Sequence, residues 1–152
     1  MGKTKVLFVC PHGAARGPMA AAFLRAYGGE SYEAYSAGVT PREIEPLTVE
    51  VMQERGIDIS GERARGLNEY LGREHFGILI TLYHPAEPEH PIFPGVGTRL
   101  QWIFEDPGEV EGGEEQRLAK LREVRDAIEL RVRGWLAERA AQPGPAPSSD
   151  VS

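Results

Sequence analysis

Cys10 and Arg16 bracket the stretch of this chain with the most chemical capacity, Val6-Leu7-Phe8-Val9-Cys10-Pro11-His12-Gly13-Ala14-Ala15-Arg16-Gly17-Pro18-Met19. Cys10 is the only cysteine in the 152 residues. A cysteine attacks as its thiolate, which backbone N–H groups and a nearby cation stabilise. An arginine fork suits bidentate contact with a tetrahedral oxyanion. Gly13 can take a left-handed conformation without steric cost, and Ala14 and Ala15 are small enough to let the backbone curl. The main chain of His12, Gly13, Ala14, Ala15, Arg16 and Gly17 would then ring one hollow above Cys10. Nucleophile, oxyanion donors and cation from a single segment are what in-line attack on phosphate or arsenate needs. The alternative is a small buried cysteine at the end of a strand.

The elements around this segment favour the chemical reading. Residues 5–9 form an unbroken apolar run, the pattern of a strand buried on both faces. Residues 18–28 are rich in helix formers, with Pro18 suited to the first helical position and Gly28 to the cap. Residues 32–38 read as a second strand ended by Gly38. A second helix is expected over 45–56, with Pro46 near its start and Leu47, Val51 and Met52 on one face. A short helix is expected around Leu67–Leu71, and further strands over 76–82 and 98–104. The proline-rich segment 83–95 reads as a surface loop. From Glu114 to Ala140 the residues Leu118, Leu121, Val124, Ile128, Val132 and Trp135 form one apolar stripe, behind an acidic first turn suited to the helix dipole. The expected organisation is one domain over 1–140 and a disordered Pro/Ser-rich tail over 141–152.

Strands alternating with helices predict βαβ units, a parallel sheet and helices on both faces. Ligands in such folds bind at the carboxyl ends of strands, near the switch in strand order. Cys10 falls at the carboxyl end of the first strand.

Bulk properties narrow the partners. A net charge of −6 argues against a broad nucleic-acid or membrane surface, because both need a basic face. The N-terminal apolar run is too short for a signal peptide, and no segment approaches the roughly 18 apolar residues of a membrane span. One cysteine cannot form an internal disulfide. A cytoplasmic location is expected. His84, Glu87, Glu89 and His90 are metal-ligating types, but their spacing is irregular and proline-interrupted, so no metal site is expected.

The chain resembles the low-molecular-weight phosphotyrosine phosphatase superfamily, in particular its thioredoxin-coupled arsenate reductase branch. The resemblance spans about residues 4 to 138 and rests on Val6–Cys10, Arg16, Pro18–Gly28, Tyr35–Pro41, Pro46–Leu67, Phe76–Leu82, Pro91–Gly95 and Gln101–Pro107. It implies a three-layer α/β sandwich around a four-stranded parallel sheet. It further implies Cys10 as nucleophile, Arg16 as oxyanion-binding arginine and Asp106 as general acid. Asp106 lies just past a strand end in a Pro/Gly loop, a position that can overhang the same sheet edge as Cys10; its plainer reading is a turn residue before proline. Family analogy also lets Arg63 or Arg65 line the cleft. Trp102 and Trp135 read as core.

Three departures from the pattern bear on function. Gly17 stands where the family carries a serine or threonine hydroxyl that donates to the thiolate, and Pro11 has no N–H. His12 offsets that loss if protonated; otherwise it is a solvent-facing loop residue. Tyr83 and His90 occupy the positions matching two resolving cysteines. No bound cofactor is implied, and an adduct on Cys10 must be resolved from outside. For arsenate reduction the resolver is thioredoxin, glutaredoxin or a low-molecular-weight thiol; for a phosphate ester, water suffices. The expected activity is arsenate reduction, with phosphotyrosine-type hydrolysis and non-catalytic oxyanion binding as alternatives.

Overall fold

The computed structural model describes residues 3–70, 73–84, 96–109 and 111–141. The elements run β1 (Thr4–Cys10), α1 (Arg16–Gly28), β2 (Tyr32–Gly38), α2 (Pro46–Gln53), β3 (Ile78–Thr81), β4 (Thr98–Gln101) and α3 (Glu114–Ala141), with short 3₁₀ turns at Gly29–Ser31, Leu67–Glu69 and Pro107–Glu109. The strands form one sheet of order β2-β1-β3-β4, and every pairing is parallel. β1 is therefore central, and the chain leaves it toward β2 on one side and reaches β3 on the other. That reversal opens a crevice at the carboxyl end of β1. The register sets Cys10 beside Gly38 and Val9 beside Thr81 at that edge.

β1 is an unbroken apolar run because both its faces are covered. Val6 and Phe8 join α1, α2 and α3 residues in the larger core cluster, while Leu7, Val9 and Cys10 join Leu79, Tyr70, Phe76 and Tyr83 in the smaller one. Successive strand residues point to opposite faces, so the two clusters lie on the two sides of the sheet. The α3 stripe of Leu118, Leu121, Val124, Ile128, Val132 and Trp135 is buried throughout, as its spacing predicts. Trp102 and Trp135 belong to the larger cluster, in contact with each other at a centroid distance of 5.7 Å.

Several expected boundaries shift. α1 begins at Arg16 rather than Pro18, so Pro18 is its third residue, and Gly29 rather than Gly28 takes the positive φ of 65° after its end. Pro46 does open α2, but the helix stops at Gln53. β3 and β4 are four residues each, shorter than the apolar patterns suggest, because pairing ends at Thr81 and Gln101. The helix expected around Leu67–Leu71 is a single 3₁₀ turn, Leu67–Glu69. Residues 85–95 and 142–152, expected as loop and tail, lie outside the described residues. Among the described residues no helix is long and apolar enough to cross a membrane.

Candidate functional site

The turn from β1 into α1 is shaped by its neighbour, the segment that leaves β2. Cys10 carbonyl accepts the Val39 N–H at 3.2 Å, Pro11 carbonyl that of Thr40 at 2.8 Å, His12 carbonyl that of Arg42 at 2.8 Å, and Ala14 carbonyl that of Glu45 at 3.2 Å. With its carbonyls committed outward, the loop is left with its N–H groups facing the hollow. Gly13 adopts φ 64°, the left-handed region that favours glycine. Gly38 is required on the other side: a Cβ there would lie 2.5 Å from the His12 carbonyl carbon and 2.7 Å from the Gly13 nitrogen. These two glycines let two backbones close against each other.

Cys10 lies at the bottom, 2% exposed. α1 starts without a side-chain cap, since Ala15 holds the N-cap position, so its first-turn N–H groups are not spent on a cap. One of them, from Gly17, donates to Cys10 Sγ at 3.3 Å. Burial pushes the Cys10 thiol above its ordinary value. The Arg16 charge is the largest opposing influence, followed by the N–H groups of Gly17, Gly13 and His12. Desolvation of the sulfur thus opposes the donors of the loop, in the direction expected from the missing hydroxyl at Gly17 and the missing N–H at Pro11. Gly17 lacks the hydroxyl, as expected, and contributes through its backbone. Its main chain supplies the bond, and a Cβ at this position would lie 3.2 Å from Sγ and 3.3 Å from the Ser36 Cβ.

Arg16 is 3% exposed and held in place by a neutral acceptor, the Phe104 carbonyl, at 3.0 Å. Its other terminal nitrogen lies 3.9 Å from Asp106 Oδ2. Asp106 Oδ1 meanwhile accepts the Gly108 N–H at 2.9 Å, so the residue is a turn residue through one oxygen and faces Arg16 through the other. The plainer reading of Asp106 as a turn residue holds, and the same residue overhangs the edge that carries Cys10. His12 is half-buried, and its Nδ1 lies 3.2 Å from the Thr40 carbonyl. Since that oxygen only accepts, Nδ1 carries the proton, and the ring is anchored to the neighbouring segment.

Cys10, His12, Ala14, Ala15, Arg16 and Asp106 line one cavity of about 350 Å³, together with Arg42, Glu43, Glu45, Pro107 and Gly108. Gly13 and Gly17 lie beneath it and act through the main chain. Arg42, Glu43 and Glu45 were not expected at the site. The signal available for them is that they follow β2, whose carboxyl end shares the sheet edge with Cys10. Arg63 and Arg65 do not join this cavity. They line a separate one of about 540 Å³ with Arg25, Tyr70 and Glu69, where both pair with Glu69. Tyr83 is 1% exposed in the cluster that holds Cys10, while His90 lies outside the described residues. Among the described residues no three metal-ligating side chains converge.

A parallel α/β sheet whose central strand delivers a buried cysteine into a loop of N–H groups, beside a fixed arginine, is chemically suited to a tetrahedral oxyanion. Residues 5–143 match the low molecular weight phosphotyrosine protein phosphatase family, and the chain belongs to it. It is similar to the arsenate reductase of Halalkalibacterium halodurans, with 32% identity over 133 residues that cover 88% of this chain and 95% of the relative. Among solved structures it resembles an arsenate reductase in the phosphate binding state (TM-score 0.74, 27% identity, 89% of this chain and 98% of the other). It also resembles the low molecular weight protein tyrosine phosphatase of T. tengcongensis (TM-score 0.68, 25% identity, 90% and 99%).

Proposed function

We propose that the protein reduces arsenate through Cys10, with an external thiol completing the reaction. The observation that carries this reading is the cavity itself. Its floor holds the thiol, loop N–H groups and Arg16, while its described walls offer charged side chains, the His12 imidazole, small alanines and Pro107 but no phenylalanine, tyrosine or tryptophan ring. An aryl phosphate needs a surface for its ring; a small inorganic oxyanion does not. The arsenate reductases among the relatives support the same choice.

In this reading Arg16 and the loop amides bind the arsenate oxygens, and Cys10 Sγ attacks arsenic. Because burial raises the thiol, its proton passes to the bound oxyanion as the bond forms. Asp106 delivers a proton to the departing oxygen, which leaves as water. The chain has no second cysteine, so an external thiolate attacks Sγ. The S–As bond breaks, its electron pair stays on arsenic, and arsenic(V) leaves as arsenite. Cys10 is left in a mixed disulfide, and a second thiol frees it. Overall, arsenate and two thiols give arsenite, one disulfide and water.

The test is arsenite production by the purified protein with thioredoxin, glutaredoxin and small thiols as separate donors. Turnover with at least one, lost by about a hundredfold or more in Cys10→Ser, is expected; background rates with all of them overturn the reading. Two specific observations favour competitors. Asp106 beside Arg16 is equally placed to protonate an ester oxygen, so hydrolysis of an aryl phosphate between about pH 5 and 8 without arsenite formation would identify a phosphatase. The raised thiol favours a non-catalytic oxyanion binder, which would bind phosphate or arsenate and turn over neither.

A further inference from the structure

We propose that the mouth of the Cys10 cavity is a subsite for a low-molecular-weight thiol carrying an amino-acid head group, with Arg42 taking its carboxylate and Glu43 its ammonium. This rests on the reading of Cys10 as an arsenate-attacking cysteine resolved from outside, and it names the class of the resolving thiol.

The cavity extends well above the sulfur. Small-molecule pockets begin near about 300 Å³, and this one measures about 350 Å³, with Arg42, Glu43 and Glu45 around its entrance. The main chain of Arg42 is fixed at the cavity, because its N–H donates to the His12 carbonyl at 2.8 Å in the same zipper that shapes the loop. Glu45, the nearest acidic competitor along the chain, is engaged by Arg117 at 3.2 Å. Among the described residues, Arg42 and Glu43 have neither an ion pair nor a side-chain hydrogen bond, and both are exposed. Adjacent and opposite charges left open at a cavity mouth complement a zwitterion, and the guanidinium fork suits a carboxylate.

The same geometry disfavours a protein donor. Protein interfaces are anchored on buried aromatic, methionine or large aliphatic side chains, and the described entrance has none. Cys10 is 2% exposed at the cavity floor, so a thiol on a slender molecule reaches it more directly than one on a folded surface. Seated by its head group, the thiolate attacks Sγ of the Cys10–arsenic adduct. An S–S bond forms, the S–As pair remains on arsenic as arsenite leaves, and a second thiol molecule displaces Cys10 to give the symmetric disulfide.

The experiment compares arsenite formation by the full chain with glutathione, uncharged 2-mercaptoethanol, and thioredoxin with its reductase. Arg42→Ala is expected to lower the ratio of kcat/KM for glutathione over 2-mercaptoethanol about tenfold, through KM, and Glu43→Gln about threefold. Arg42→Lys should recover part of the loss. An unchanged ratio, or turnover with thioredoxin at micromolar levels and none with glutathione, overturns the subsite. A second readout is independent of turnover: calorimetric binding of the unreactive S-methylglutathione in the presence of phosphate, weakened about tenfold by Arg42→Ala. Binding without arsenite from any thiol would sustain the subsite and defeat the arsenate reading. Arsenite formation without S-methylglutathione binding would do the reverse.

Discussion

Two cavities among the described residues each carry more than one arginine, and they hold them differently. In the first, Arg16 is buried, held by the Phe104 carbonyl at 3.0 Å and faced by Asp106 at 3.9 Å. In the second, Arg63 and Arg65 converge on Glu69, and Arg25 reaches Glu62 at 3.5 Å. These pairs lie at the surface, and Arg25 also donates to the Ala34 carbonyl at 3.0 Å. Counting arginines therefore does not find an oxyanion site. What distinguishes the first cavity is an arginine buried and fixed beside a buried thiol, where the second has exposed arginines in surface ion pairs.

The largest expected effect breaks that contrast directly. Arg16→Lys keeps the charge but not the fork, and should lower arsenite formation about a hundredfold to a thousandfold at saturating thiol. A loss below tenfold would mean that position, not geometry, carries Arg16. Next, Gly38→Ala places a methyl 2.5 Å from the His12 carbonyl carbon, so the loop and the 39–45 segment must separate. Urea unfolding should show a loss of about 2–4 kcal/mol, and wild-type stability would refute the close approach.

The Cys10 thiol supplies a pH test. Its value is raised in the folded protein, so iodoacetamide should alkylate the ligand-free site with a midpoint above the ordinary thiol value of about 8.5. The sign for stability follows: the unfolded chain ionises first, and stability falls as pH rises past that ordinary value. A midpoint below about 7 would reinstate the thiolate that the loop's donors predict.

Smaller effects come from arginines whose partners are carboxylates. Arg122 and Arg125 hold the Glu54 carboxyl down at about 2. Its contribution is present above the ordinary carboxylate value and disappears as pH falls through about 2. Glu54→Gln should cost about 1 kcal/mol or less at pH 7, because the pair is partly solvated, and make the acid limb shallower. Smallest of all, Arg63→Ala and Glu69→Gln should each change stability by about 0.5 kcal/mol or less and leave arsenite formation within twofold. A larger activity loss would bring the second cavity back into function.

Much of this was legible in the sequence, for reasons that differ by element. β2 starts and ends where its residues predict, and the α3 stripe is buried at every expected position, because burial pattern alone defines those elements. The start of α1 was missed because Arg16 and Gly17 carry no helix-start signal of their own; the sulfur below recruits the Gly17 N–H into the first turn. Gly17 shows the limit most plainly. Residue types report a missing hydroxyl and a backbone facing the hollow, but not that this N–H meets the sulfur itself at 3.3 Å. Arg42 and Glu43 were illegible because their place depends on the zipper between two segments about thirty residues apart in the chain, which no local pattern encodes.

That zipper also bears on how such a site changes over evolutionary time. The hollow's positive face belongs to peptide units whose carbonyls are tied elsewhere, so most of it is indifferent to side-chain identity. Two interlocked glycines and one arginine are the parts that substitution can erase. Side-chain changes elsewhere around the loop therefore leave its backbone geometry in place, so the hollow is inherited with the fold rather than with any one polar side chain.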